Sequence, residues 1–115
     1  MKTKAQTGRE GEDAAVAFLL NAGYNILERN YRYKRAEVDI IAEKDDILVF
    51  VEVKTKSYTT FGFPEESVNH TKVAKVSEAA EYYTYANNWH KDIRFDIIAV
   101  NKAIDKIDHF MDAFH

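Results

Sequence analysis

The chain has 115 residues, of which 46% are hydrophobic, with four Gly and one Pro, and this composition excludes a disordered or fibrous protein. It contains no Cys, which excludes disulfides, cysteine zinc sites and thiol catalysis and is typical of a cytoplasmic protein. The longest apolar run, residues 47 to 51, is too short to cross a bilayer, so we expect no membrane association. The length predicts a single domain over residues 1–115.

Charge is distributed unevenly along the chain, although the net charge of −3 is not that of a typical nucleic-acid-binding domain. Residues 1–36 hold seven basic and four acidic residues, for +3, whereas residues 37–115 hold nine and fifteen, for −6. The basic segment ends in a cluster interleaved with tyrosines: Arg29, Arg32, Lys34 and Arg35. Such a cluster suits a phosphate backbone, and it equally suits a solvated, charged hairpin edge.

The first half of the chain predicts a helix followed by a meander of three strands. A helix over residues 8–22 would be capped by Thr7 and ended by Gly23. A strand over residues 24–30 precedes two more strands that are joined by a tight turn at Asp45 and Asp46. Gly and Pro then interrupt the pattern, which predicts a loop over Ser57 to Pro64.

The second half predicts a helical crossover and two further strands. A helix should begin near Asn69 or Thr71 and run to about Ala86. A strand over residues 93–100 can then lie parallel to the strand that contains Glu52, and a short strand over residues 104–110 follows. The order α-β-β-β-α-β-β predicts an α/β fold, bordering on α+β, in which two main helices flank a mixed sheet of about five strands.

Acids and a lysine interrupt the two apolar strands on either side of the tight turn. Because side chains alternate, Glu37 shares a face with Asp39 on one strand, and Glu52 shares a face with Lys54 on the other. In a hairpin with a two-residue loop, the numbers of facing residues here sum to 91, so Asp39 would face Glu52 and Glu37 would face Lys54. Two opposed acids destabilise a sheet, which predicts a cation between them.

Two facing carboxylates provide the hard oxygen ligands that Mg²⁺ or Mn²⁺ prefers. The main-chain carbonyl of Val53 could add a ligand, and the ammonium of Lys54 would lie near a metal-bound water. Hydrolysis of a phosphodiester is the chemistry that such a site favours. The competing interpretation is a structural ion-pair cluster, which the half-buried face makes costly.

These residues resemble those of the PD-(D/E)xK nuclease superfamily, in which an Asp on one strand and E-x-K on the next hold the metal. Nearly the whole chain is similar to the YraN family of small bacterial predicted endonucleases, distant relatives of archaeal Holliday junction resolvases. One departure is Ala36, where the family usually has Gly. The matching segments are Gly8–Ala15, Leu27–Arg32, Glu37–Ile41, Val49–Lys54, Phe61–Gly62, Arg94–Asp96 and Ala113–Phe114.

The resemblance implies a restriction-endonuclease-like core that acts on DNA, with branched or repair intermediates as possible substrates. It implies that Asp39 and Glu52 are metal ligands, that Lys54 is the catalytic lysine, and that Glu12 is a further acid from the first helix. Glu37 would hold Lys54 in place, and Lys72 would contact phosphate. Resolvase-like enzymes often pair two active sites, so a homodimer is an option by analogy.

Two other functions remain open on sequence grounds: a nucleic-acid-binding or interaction module without turnover, and a metal-dependent phosphohydrolase of small nucleotides. Outside the acid-lysine cluster, the sequence predicts packing and surface roles. We expect Arg94 and Asp96 to form surface or edge pairs and the four histidines to lie on the surface, because their spacing is not that of a zinc site. For Tyr82, Tyr83 and Tyr85 packing is the default, with base stacking as the minor alternative.

Overall fold

The computed structural model describes residues 3–56 and 70–113, with only the main chain at residues 4, 5 and 70. The predicted loop at 57–64 and the motif residue Phe114 lie outside the described residues. The predicted element order is confirmed: α1 (Lys4–Asn21), β1 (Asn25–Tyr33), β2 (Ala36–Lys44), β3 (Ile47–Lys56), α2 (His70–Ala86), β4 (Asp92–Asn101) and β5 (Lys106–Phe110).

The five strands form one mixed sheet in the order β1-β2-β3-β4-β5, which gives an α+β fold. Neighbouring strands are antiparallel, except that β4 lies parallel to β3 as the sequence predicts. The parallel pair follows from the crossover through α2, because only a long connection can return the chain in the same direction. No helix in the described part of the chain is long and apolar enough to span a membrane.

Helix α1 begins four residues earlier than predicted, so the assignment of Thr7 as its cap is wrong. Thr3 is the N-cap: its side chain accepts a hydrogen bond from the N–H of Gln6, and the Gln6 side chain accepts one from the N–H of Thr3. This reciprocal capping box satisfies two donors that a helix start otherwise leaves unpaired. At the other end Gly23 has φ +93°, a left-handed conformation that favours glycine.

The hydrophobic core lies on both faces of the sheet, beneath α1 on one side and beneath α2 on the other. Val49 and Val51 of β3 pack with Leu19 of α1, whereas Leu48 and Phe50 pack on the α2 side. Burial on both faces explains why β3 has a continuous apolar run instead of an alternating one. We refer to these two sides as the α1 face and the α2 face.

The side chains of β1 and β2 exchange faces of the sheet at the same level, at Asn30 on β1 and at Asp39 on β2. Ile40 belongs to the α1-face cluster, yet Val38, two residues away, belongs to the α2-face cluster. Residues two apart on a regular strand share a face, so the strand is irregular at Asp39. Asn30 stands between the paired residues Arg29↔Ile40 and Tyr31↔Val38, and it has φ 53°, a left-handed conformation that Asn tolerates. Asp39 therefore lies where the side chains of β2 change from one face of the sheet to the other.

Candidate functional site

A gap opens between β2 and β3 at the end of their shared ladder. Pairing runs from Lys44↔Ile47 to Ile40↔Val51, so the register predicted from the tight turn is confirmed for these pairs. Asp45 and Asp46 both have positive φ, as a two-residue hairpin loop requires. Beyond the last pair, β2 continues beside β1 while β3 continues beside β4. The predicted facing pairs, Asp39 with Glu52 and Glu37 with Lys54, lie beyond this ladder.

The side chain of Asp39 bridges the gap. Its Oδ2 accepts a hydrogen bond of 2.8 Å from the main-chain N–H of Val53. The pKa of Asp39 is raised to about 7, chiefly by burial and then by the negative charges of Glu52 and Glu12, against the opposing effects of the Val53 hydrogen bond and the charge of Lys72. An acid held in this way favours a proton or a cation beside it.

Glu52 is the buried acid of the site, with 6% of its surface exposed, whereas Asp39 is half-buried. Its Oε1 forms an ion pair with Nζ of Lys72 from α2, and Nζ of Lys54 lies 3.3 Å from the same oxygen. Two lysines thus neutralise Glu52 within the chain. The family resemblance implies a phosphate contact for Lys72. Its direct contact with Glu52 was not predicted, since it depends on how α2 packs across the sheet.

Helix α1 brings Glu12 to the edge of the same site through a close contact at Gly11. A Cβ atom at Gly11 would lie 1.9 Å from Oγ1 of Thr55 on β3, so only glycine permits this approach. The pKa of Glu12 is raised, chiefly by burial, although a hydrogen bond with the Asn30 side chain and the charge of Arg29 act against the rise. The structure therefore gathers Glu12, Asp39, Glu52, Lys54 and Lys72 around one gap.

The expectation that Glu37 holds Lys54 is wrong. Glu37 pairs in register with Arg32 of β1, and its carboxylate forms a 2.9 Å ion pair with the Arg32 guanidinium. Lys54 pairs with Glu52 instead. The difference arises because the pairing of β2 with β3 ends at Ile40. Beyond that residue Glu37 pairs with Arg32 of β1, on the other side of β2.

The basic cluster does not form one continuous surface. Arg29 forms a 2.7 Å ion pair with Asp13 on the α1 face, and Arg32 is paired with Glu37. Lys34 lies over the ring of Tyr33, 5.3 Å from its centroid. Arg35 lines a cavity of about 360 Å³ with Lys72 and Lys75 of α2. Two of the four residues lie beside the acid-lysine cluster: Arg35 shares a cavity with Lys72, and Arg29 lies 4.0 Å from Glu12.

A second charged cluster is buried between β4 and β5, and here the surface assignment of Arg94 and Asp96 is wrong. Asp96 is fully buried, and Arg94 donates to both of its carboxylate oxygens, at 2.8 and 2.9 Å. His109, predicted to lie on the surface, contacts Asp96 Oδ2 at 2.7 Å, and the N–H of Asp112 donates to Oδ1. Arg94 also donates to the hydroxyl of Tyr24, which closes the network.

The prediction missed this cluster because its members come from three distant segments. Burial alone would raise the pKa of Asp96, but the hydrogen bonds from His109, Arg94 and Asp112 outweigh it and hold the pKa below its ordinary value. The ionised carboxylate is therefore the stable form. The sequence shows that Arg94 and Asp96 alternate with apolar residues. It does not show which face of the strand is buried against other parts of the chain.

The acids at the gap offer hard oxygen atoms as possible ligands. Asp39 and Glu52 each engage one carboxylate oxygen in the described contacts, which leaves the second oxygen of each for another ligand. Within residues 3–56 and 70–113, no three His, Cys, Asp or Glu side chains are grouped closely enough to hold a metal. Mg²⁺ usually keeps several waters and is held by one or two carboxylates, so the number of acids here is the number that such an ion uses in proteins.

Fold and site together define a small α+β protein with an acid-lysine cluster in a gap of a mixed sheet. The sequence model of the uncharacterised protein family UPF0102 matches residues 11–100. The chain belongs to the UPF0102 family. The family description names no activity, so it leaves the chemistry of the cluster to be argued from the residues.

Similar proteins match the chain over nearly its full length. A UPF0102 protein of Flavobacterium psychrophilum is 48% identical over 94% of this chain and 92% of its own. A UPF0102 protein of Persephonella marina is 46% identical over 93% and 91%, and one of Clostridioides difficile is 46% identical over 95% and 96%. The resemblance to a family of small bacterial proteins is thereby confirmed.

Proposed function

We propose that this protein is a divalent-metal-dependent endonuclease of the PD-(D/E)xK type that hydrolyses phosphodiester bonds in DNA. The observation that carries the proposal is that the charge of Glu52 acts on Asp39 and raises its pKa, with the ammonium of Lys54 3.3 Å from Glu52. Two acids whose negative charges act on each other favour a cation, and the lysine would supply positive charge where a phosphate approaches.

In this proposal Asp39 and Glu52 hold Mg²⁺ or Mn²⁺, and the carbonyl of Val53 adds an oxygen ligand. The bound ion would acidify a water and stabilise negative charge on the phosphoryl group. Lys54 orients the attacking water and offsets the charge of the substrate. Glu12, whose pKa burial raises, is placed to take up a proton beside Asp39.

Lys72 has a double role in the same proposal. In the metal-free protein its ammonium neutralises Glu52. With a divalent ion held at Glu52, Lys72 would no longer be needed to neutralise that acid and would be available to contact a substrate phosphate. The exchange couples metal binding to substrate binding, because the same ammonium serves the acid in one state and the phosphate in the other.

The test is a titration with Mg²⁺ or Mn²⁺ that follows cleavage of labelled linear and branched DNA. We expect cleavage that requires the metal, and a loss of about 10²-fold or more in Asp39→Asn and in Lys54→Met, comparable to removing other groups that stabilise transition-state charge. Glu37→Gln is the matched control, since it removes an acid of the same strand that pairs with Arg32. Equal cleavage by Asp39→Asn, or by the wild type in EDTA, would refute the proposal.

A nucleic-acid-binding module without turnover is the second candidate, and the ion pairs of Lys54 and Lys72 with Glu52 favour it. They neutralise the acid without any metal. Metal-independent DNA binding that Asp39→Asn leaves unchanged, with no cleavage of any substrate, would support this module. A phosphohydrolase of small nucleotides is separated from both by competition, since mononucleotides would then inhibit cleavage of the polymer.

Branched DNA as the substrate, a homodimer with two active sites and a cytoplasmic location complete the proposal. The first two rest on the resemblance to Holliday junction resolvases, and the third rests on the absence of cysteine. Comparison of four-way junctions with linear duplexes tests the substrate. Sedimentation of the protein with and without a junction tests whether two copies assemble.

A further inference from the structure

An exposed stripe follows α2 away from the acid-lysine cluster, and its composition changes along the helix. Lys75, Glu78, Tyr82 and Tyr85 succeed one another at spacings of three and four residues, so they share one face of the helix, and all four are exposed. The turn between β1 and β2 lies opposite this face and contributes Tyr33 and Arg35. The stripe lines two neighbouring cavities, and we call the stripe together with these cavities the α2 groove.

The end of the α2 groove nearest the cluster is basic. Arg35, Lys72 and Lys75 line the cavity of about 360 Å³ there. Glu37 also lines it, but its carboxylate is neutralised by Arg32. The local charge is therefore positive and suits one or two phosphate groups. Because Lys72 contacts Glu52, this cavity adjoins the acid-lysine cluster directly.

The far end of the α2 groove is aromatic. The rings of Tyr33 and Tyr82 are stacked, with centroids 4.5 Å apart and an interplanar angle of 19°. Tyr82 is 45% exposed and Tyr85 is 84% exposed, so large apolar ring surfaces face solvent. With Trp89 they line a second cavity of about 660 Å³. Exposed rings in an open cavity are the platform on which unpaired bases stack.

The dimensions of the α2 groove correspond to a short piece of single strand. At a rise of 1.5 Å per residue, the ten steps along the helix from Lys75 to Tyr85 span about 15 Å. That length equals about four nucleotides of a stacked strand at about 3.4 Å each. Glu78 and Glu81 flank the aromatic end and repel phosphates from it, so base faces are the part of a strand that fits there.

We propose that the α2 groove binds an unpaired nucleic-acid segment of about four nucleotides, with phosphates at Arg35 and Lys75 and bases stacked on Tyr82 and Tyr85. A duplex cannot use the aromatic end, because its bases are already stacked inside the helix and do not reach the rings. The proposal deepens the proposed nuclease by naming a substrate with a single-stranded flank, and it rests on that function only for the link to cleavage.

The test measures binding without catalysis, in EDTA and in an Asp39→Asn background, by fluorescence anisotropy of labelled DNA. The probes are a blunt duplex and the same duplex with a four-nucleotide thymidine flank. We expect the flanked duplex to bind about tenfold more tightly than the blunt one. Tyr85→Ala should remove most of that difference, whereas Tyr85→Phe, which keeps the ring, should retain it.

Lysine variants provide a matched comparison of charge. Lys75→Gln should weaken binding of the flanked duplex and reduce its dependence on salt, because one phosphate contact is lost. Lys106→Gln removes the same charge from an exposed lysine on β5, outside the α2 groove, and should bind as the parent does. The exposure of Tyr85 means that its replacement leaves the core intact, and circular dichroism verifies this.

Three results would overturn the inference: equal binding of blunt and flanked duplexes, unchanged binding in both Tyr85→Ala and Lys75→Gln, or self-association through the stripe. The last would appear as a dimer that Tyr85→Ala dissociates without any effect on DNA binding. Failure of the nuclease is distinguishable from all three. Wild-type protein that binds the flank through Tyr85 and never cuts it with Mg²⁺ or Mn²⁺ would refute the nuclease and retain the α2 groove.

Discussion

Asp39 accepts a hydrogen bond from the main-chain N–H of Val53, and this 2.8 Å contact joins β2 to β3 where their ladder has ended. An acid side chain thus takes the place of a main-chain partner in the sheet. The carboxylate held in this way lies within range of the negative charge of Glu52, which raises its pKa. The same contact therefore links β2 to β3 and fixes the position of the Asp39 carboxylate.

The first prediction concerns the pH dependence of stability in metal-free protein. Asp39 has a pKa of about 7 in the fold, chiefly through burial, against 3.8 for an ordinary Asp, so the folded state binds the proton more tightly. The contribution of Asp39 to the free energy of unfolding therefore falls as pH rises from about 4 to about 7. The decrease is up to about 4 kcal/mol at 1.36 kcal/mol per pKa unit. Urea unfolding in EDTA measures this quantity, and the Asp39→Asn variant should not show the decrease between pH 4 and pH 7.

Glu37→Gln serves as the control for that measurement, because it removes an acid of the same strand that lies beyond the Asp39 contact. Its stability should follow the wild-type pH profile. A wild type and an Asp39→Asn variant with parallel profiles between pH 4 and 7 would show that Asp39 is ionised throughout, contrary to the prediction.

The second prediction concerns the buried cluster at Asp96. Asp96→Asn leaves the guanidinium of Arg94 without its anionic partner, and breaking a buried ion pair costs about 3 kcal/mol of unfolding free energy. The pKa of Asp96 is held low, chiefly by His109 and Arg94 against the effect of burial, so its contribution is complete at neutral pH and is lost as pH falls below 3.8. Denaturant titration at pH 7 measures the loss.

Asp108→Asn on β5 is the matched control for Asp96. Its carboxylate is exposed and lies 3.7 Å from Lys106, an arrangement that contributes about 0–1 kcal/mol. Equal destabilisation by the two substitutions would mean that the buried network adds nothing beyond a surface pair.

The third prediction concerns competition between Lys72 and a metal for Glu52. Lys72→Met removes the ammonium that pairs with Glu52, so Mn²⁺ should bind several-fold more tightly than in wild type, as measured by calorimetry. Lys75→Met, one turn further along α2, is the control and should leave the Mn²⁺ affinity within about twofold. An unchanged or weaker affinity in Lys72→Met would place the ion away from Glu52.

The fourth prediction contrasts two glycines of α1. Gly11→Ala would bring a Cβ within 1.9 Å of Thr55 Oγ1, and we expect it to lower the unfolding free energy by about 1–3 kcal/mol, as overpacking does. Gly8 has nothing within 4 Å of an added Cβ, so Gly8→Ala should raise stability by about 0.5–1 kcal/mol through helix propensity. Thermal unfolding of both variants measures the opposite signs, and equal signs would contradict the packing.

Local chemistry explains what could be predicted from the sequence. The hairpin register followed from Asp45 and Asp46, because a two-residue loop sets which residues face each other. Helix and strand order followed from apolar periodicity, which depends on near neighbours alone. The same local pattern singled out Asp39, Glu52 and Lys54, because charged side chains within apolar strands are energetically unfavourable unless they have a partner or a function.

The sequence by itself thus determined the elements, their order and the residues of interest. Only the tertiary structure decided where the β2–β3 ladder ends, that Lys72 reaches Glu52 across 20 positions, and that Arg94 meets Tyr24 across 70. These contacts depend on the packing of whole helices and strands, whose relative placement is set by burial summed over the core. No local window of residues contains that information.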